Sequence, residues 1–133
     1  MKEDPRTRSR IMSAVKGKDT RPELIVRRMV HAMGYRYRLH RKDLPGKPDL
    51  AFSKLRKLIF VHGCFWHGHD CVRGARMPKA NAAYWSNKIA RNSLRDAKHM
   101  DALKSQGWRI AVIWECELKK LERVRRRLAE FLK

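Results

Sequence analysis

Acidic residues are scarce in this chain: 13 Asp and Glu stand against 33 Lys and Arg in 133 residues, a formal net charge of +20. A folded domain with so little acid excludes most positively charged partners and selects polyanions. Cysteine is scarce as well. Three residues, an odd number, argue against a closed disulfide framework. No apolar run approaches the roughly 18 residues of a membrane span. The opening stretch MKEDPRTRSR lacks the hydrophobic core of a signal peptide, so a cytoplasmic protein with no membrane partner is expected. Apolar residues are not scarce. At 43% they exclude a disordered polybasic tail. The length fits one domain over residues 1–133, led by a basic segment at 1–19. Charge gives a class of partner and no chemistry, since ribosomal, histone-like and nuclease domains share it.

The cysteines are more informative by placement. Cys64 and Cys71 share the segment HGCFWHGHDC with His62, His67 and His69. Cys64-x4-His69-x-Cys71, with Cys116 placed 45 residues further on, has the composition of a closed Cys3His zinc site. His69 is the favoured imidazole because it stands next but one to Cys71, which leaves His62 and His67 for other work. The plain alternative is buried free thiols with surface histidines.

Periodicity predicts the order α, β, β, β, α, β, α after a short N-terminal amphipathic patch. Thr20-Arg21-Pro22-Glu23 reads as a helix start, with Thr20 as N-cap and Glu23 placed to close a capping box. Leu24, Ile25, Met29, Val30 and Met33 form its stripe, and Gly34 ends it. Tyr35, Tyr37 and Leu39 alternate as in a half-buried strand. Residues 49–52 and KLIFVH (57–62) form a hairpin. A helix is expected from about Asn81 to Ser105 on Trp85, Ile89, Leu94, Ala97 and Leu103, with a break near Asn92. WRIAVIW (108–114) reads as a central strand, and Leu121, Val124, Leu128, Phe131 and Leu132 mark a last amphipathic helix. The strands are expected in one mixed sheet flanked by helices. If the strands preceding Cys64 and Cys116 are parallel neighbours, both thiols reach one end of that sheet.

With few acids present, the position of each matters. Pro48-Asp49 at a strand start, one hairpin before KLIFVH, has the skeleton of a PD-(D/E)xK nuclease site, where a carboxylate holds Mg²⁺ against a phosphodiester. The second acid and the lysine of that pattern are absent from Phe60-Val61-His62. A Pro-Asp pair is also an ordinary turn signal.

RSRIMSAVKGKDTRPE, LPGKPDLAF, LIFVHGCFWHGHDC, YWSNKIARN and GWRIAVIWEC together resemble the very short patch repair (Vsr) endonucleases, the T:G mismatch-specific nucleases of bacteria. The resemblance implies a PD-(D/E)xK restriction-endonuclease-like fold with structural zinc on Cys64, His69, Cys71 and Cys116. It implies magnesium on Asp49 and on the backbone carbonyl of Val61, where the family often has Thr. His67 corresponds to the catalytic histidine, His62 to a supporting one and Glu23 to an N-terminal catalytic carboxylate. Phe65, Trp66 and Met12 correspond to residues that wedge into DNA beside the mismatch. Opening a base step costs a few kcal/mol, and less where pairing is already poor. The plain alternatives are a lid over the zinc site for Phe65 and Trp66, and helix packing for Met12.

The function so implied is a Mg²⁺-dependent nick in duplex DNA 5′ to the thymine of a T:G mismatch, in repair of deaminated 5-methylcytosine. It implies mismatch-repair proteins as partners, a monomer, and a location with the bacterial nucleoid. Arg6, Arg8, Arg10 and the stretch from Tyr35 to Lys42 are candidates to grip phosphates, while Lys119 to Arg127 reads as a solvated face. Two alternatives stand beside this: a related nickase with another target, and a zinc-stabilised DNA-binding module without catalysis.

Overall fold

A computed structural model of the chain describes residues 20–64, 67 and 80–133. Four strands, β1 (Arg38–Leu39), β2 (Leu50–Phe52), β3 (Lys57–His62) and β4 (Arg109–Trp114), form one sheet in that order. The first two pairings are antiparallel, with Leu39 opposite Leu50 and Leu50 opposite Ile59. β4 then joins β3 in parallel, from Lys57 opposite Arg109 to His62 opposite Trp114. A parallel neighbour needs a long crossover, and α2 (Ala82–Ser105) lies within it. α1 (Arg21–Ala32) precedes the sheet. A short 3₁₀ turn (Glu115–Lys119) and α3 (Leu121–Leu132) follow it.

Alternation along the strands divides the core in two. Leu50, Phe52, Ile59, Ala111 and Ile113 face one side and pack against Val26, Met29 and Val30 of α1 and Val124, Leu128 and Leu132 of α3. Ala51, Leu58 and Phe60 face the other side, against Leu44, Leu103 and Trp108. Each fully buried aliphatic side chain contributes about 1.5–3 kcal/mol, so both layers pin the sheet register. A slip of one residue would turn every one of these side chains to the wrong layer.

The expected element order is present, with four differences in detail. β4 is an edge strand among the described residues, not a central one. Its apolar run arises because both of its faces contact core clusters. The strand expected over Tyr35–Leu39 is paired only at Arg38 and Leu39. Tyr35 and Tyr37 instead set their rings edge-on to Phe52. α2 runs unbroken through Asn92, whose polarity reflects its place on the wall of a cleft. Leu94, part of the expected helical pattern, is 66% exposed, and Ile89 and Leu103 are the buried anchors of α2.

Candidate active site

The N-terminus of α1 places the first acid. Thr20 Oγ1 accepts the backbone N–H of Glu23 at 3.4 Å, the expected N-cap. The Glu23 carboxylate is drawn inward. Its Oε2 accepts from Arg27, and His40 Nε2 lies 2.9 and 3.0 Å from its two oxygens. Glu23 is 2% exposed, so these donors replace lost water.

Asp49 enters from the turn ahead of β2, and its Oδ2 accepts the backbone N–H of Val61 on β3 at 2.7 Å. In a strand, the N–H and C=O of one residue serve the same edge, so Asp49 sits at the edge that Val61 presents past the end of β2. Burial pushes the Asp49 carboxyl up to about 8. The Val61 bond and the Arg27 charge oppose the rise, while a hydrogen bond with Glu23 and its charge add to it. A neighbouring carboxylate makes a second negative charge at Asp49 costly. Glu23, His40 and Asp49 each offer an oxygen or nitrogen within 4.8 Å of the others. The two carboxylates suit a hard divalent cation, which would offset their charge.

A second cluster lies alongside, at the C-terminal end of β3. His62 is 5% exposed and stacks on His67, with ring centroids 3.8 Å apart and planes within 2°. Trp114 meets both rings edge-on. Burial pushes the His62 imidazole down to about 3. The His67 charge acts the same way and Asp96 opposes it, so His62 is neutral at physiological pH. Its Nδ1 has no hydrogen-bond partner among the described residues. His67 Nδ1 meets Asp96 Oδ2 of α2 at 2.5 Å. Burial alone would raise the Asp96 carboxyl, but the hydrogen bond to His67 and the charges of His67, His62 and His99 hold it below the usual range. Ser93 Oγ donates to the His67 carbonyl, and the His67 N–H donates to Gly63 O, so the backbone is fixed as well.

One open cleft of about 1110 Å³ unites the two clusters; Glu23, Asp49, Val61, His62, His67 and Asp96 all line it. Arg21, Lys47, Lys88, Arg91 and Arg95 supply positive charge along the same wall. On α2 the lining positions 84, 88, 91, 92, 95, 96 and 99 recur at helical spacing, so one polar face of that helix forms the wall.

All five candidate catalytic or magnesium positions therefore meet in one place: Asp49, Val61, His62, His67 and Glu23. Cys64 and Cys116 also meet. The Cys116 N–H donates to Cys64 Sγ at 3.4 Å, across the parallel β3–β4 pair. Cys64 is fully buried. The other expected zinc ligands, His69 and Cys71, lie outside the described residues, as do Phe65, Trp66, Met12, Arg6, Arg8 and Arg10. Two contributors escaped the sequence argument. Asp96 carried a usable signal, the four-residue steps from Lys88 through Asn92 on one helix face. His40 carried none, because its contact to Glu23 spans 17 residues.

Comparison with known proteins converges on one family. The family described as DNA mismatch endonuclease Vsr matches residues 2–73. The type II nicking enzyme V.XorIIP of Xanthomonas oryzae pv. oryzae is 51% identical over 96% of this chain and 93% of its own length. V.NmeAIP of Neisseria meningitidis, also a type II nicking enzyme, is 43% identical over 91% of this chain and 86% of its own. The DNA mismatch endonuclease Vsr of Escherichia coli is 36% identical over 91% of this chain and 77% of its own. On these matches the chain belongs to the Vsr family of DNA mismatch endonucleases.

Proposed function

We propose that this endonuclease nicks one strand of duplex DNA 5′ to the thymine of a T:G mismatch, in a magnesium-dependent reaction. The observation that carries this is the joining of a buried carboxylate pair, Glu23 and Asp49, to a His67–Asp96 pair in one basic-walled cleft. Asp49 and the Val61 carbonyl would hold the magnesium ion. When bound there it supplies positive charge against the negative charge that builds on the phosphodiester. Asp96 fixes the His67 ring with its proton on Nδ1, leaving Nε2 to move a proton during scission. His62, neutral and stacked, sets the plane of that ring. Glu23 stands beside Asp49 and completes the carboxylate pair. The relatives' names as nicking enzymes support scission of a single strand.

Structural zinc on Cys64, His69, Cys71 and Cys116 would fix the segment that carries His67, and the approach of Cys64 and Cys116 supports it. Phe65, Trp66 and Met12 are assigned to wedging beside the mismatch, and Arg6, Arg8 and Arg10 to the phosphate backbone. The PD-(D/E)xK-like class is supported by the mixed sheet with Asp49 placed ahead of a hairpin strand. In this reading the whole of residues 1–133 is one endonuclease domain, acting as a monomer on nucleoid DNA in very short patch repair alongside mismatch-repair proteins. The test is a nicking panel: duplexes carrying every mismatch in several sequence contexts, each with and without Mg²⁺. Nicking confined to T:G with Mg²⁺ is expected. Preference for another mismatch, or equal nicking of paired DNA, would replace T:G as the target.

A further inference from the structure

His40 is linked to both acids of the cleft. Its Nε2 lies 2.9 and 3.0 Å from the two Glu23 oxygens, and its backbone N–H donates to the Asp49 carbonyl at 3.1 Å. The three residues come from separate parts of the chain: the start of α1, the end of β1 and the entry to β2. Arg27 donates to Oε2 of Glu23, and His40 lies within hydrogen-bond distance of both oxygens. His40 also holds a left-handed backbone, φ 47°, uncommon for a residue with a Cβ. The φ value brings the backbone N–H to Asp49 and the imidazole to Glu23 at once.

We propose that His40 is a positioning residue that sets the separation and orientation of the Glu23–Asp49 carboxylate pair, and through that pair the affinity of the cleft for a divalent cation. The inference rests on Glu23 and Asp49 being the working carboxylates of the cleft. His40 acts as a donor and not as a ligand. In this role Nε2 carries the proton it donates to Glu23, and a protonated ring nitrogen offers no lone pair to a cation. Partners that orient metal-binding groups in this way are worth about 10–100-fold in metal affinity or activity.

Three substitutions in the full chain separate the side chain from the backbone. His40→Gln keeps a donor of comparable reach. His40→Asn tolerates the left-handed backbone but is too short to reach Glu23. His40→Ala has neither property. Mn²⁺ serves as the probe, titrated by electron paramagnetic resonance, with thermal midpoints recorded in parallel and Asp49→Ala as reference. The expected result is Mn²⁺ affinity reduced by about tenfold or more in His40→Ala and His40→Asn, and restored to within about threefold in His40→Gln. The Mg²⁺ concentration giving half-maximal nicking should follow the same order. A merely structural role would rank the variants by thermal midpoint, with Asn nearest the wild type. That ranking, or affinities all equal to wild type while Asp49→Ala abolishes binding, would overturn the role of His40 and leave the carboxylate site standing. Unchanged Mn²⁺ affinity in Asp49→Ala would overturn both.

Discussion

Asp49 should destabilise the fold it serves. Its carboxyl is raised from 3.8 to about 8 by burial, by Glu23 and against the opposing Val61 bond and Arg27 charge. Because the folded-state value lies above the unfolded one, the protonated group favours the fold below about pH 4. That advantage is lost progressively as pH rises through about 8. For an isolated group the interval corresponds to about 6 kcal/mol at most, at roughly 1.36 kcal/mol per pH unit. Relaxation of the buried site and entry of water reduce this, so we expect on the order of 2–3 kcal/mol. Asp49→Asn removes the titration and keeps an acceptor for the Val61 N–H. Urea denaturation of both proteins, from about pH 5 to about pH 8.5 in magnesium-free buffer with any tightly held zinc left in place, measures the difference. Wild type should lose stability steadily across this range and the variant should not, so that the variant is the more stable at the alkaline end. Millimolar Mg²⁺ should then stabilise wild type alone, by mass action on the folded state. Parallel curves agreeing within about 0.5 kcal/mol would refute the raised Asp49 carboxyl.

Other consequences follow from the same geometry. Asp96→Asn should slow single-turnover nicking by about 100-fold while DNA affinity changes by less than about threefold, because it disorients His67 without removing a phosphate contact; equal losses in gel-shift and rate assays would contradict this. Cys116→Ser should lower both the zinc content measured by elemental analysis and the thermal midpoint, and a wild type purified without zinc would remove the site. Gly46→Ala should cost about 1–3 kcal/mol in denaturant unfolding, since Gly46 has φ +76° and an added Cβ would stand 3.0 Å from His99 Cβ. Affinity for duplex DNA should fall by roughly 10³-fold or more between about 50 and 200 mM salt if six or more phosphates are contacted, as fluorescence anisotropy would report.

The legibility of the chain was uneven for physical reasons. Apolar periodicity located the three helices and the hairpin, because each buries a stripe or a face and periodicity records burial. It marked β4 as central, whereas β4 is an edge strand among the described residues, because strands covered on both faces read alike at the edge and in the middle. It counted the exposed Leu94 in the helical pattern because one apolar residue at helical spacing does not reveal which helix face is covered. Chemistry was legible where it was concentrated, in the Cys/His segment and at Asp49. His40 and Asp96 were not, since each gains its role only when β1 and α2 are brought against residues 17 and 29 positions away.

The parallel β3–β4 pair also sets an order of assembly. Cys64 and Cys116 are 52 residues apart in sequence and are brought together by strands that cannot pair through a tight turn. Closing so long a loop is among the slower steps of folding, because its entropy is spent before any contact repays it. The two cysteines therefore come together only once the sheet is nearly complete. A zinc ion that needs both would be captured late, by a chain already committed to its fold. Until that point the segment carrying His67 is not tied to β4 through such an ion, so nuclease competence would be the last property the folding chain acquires.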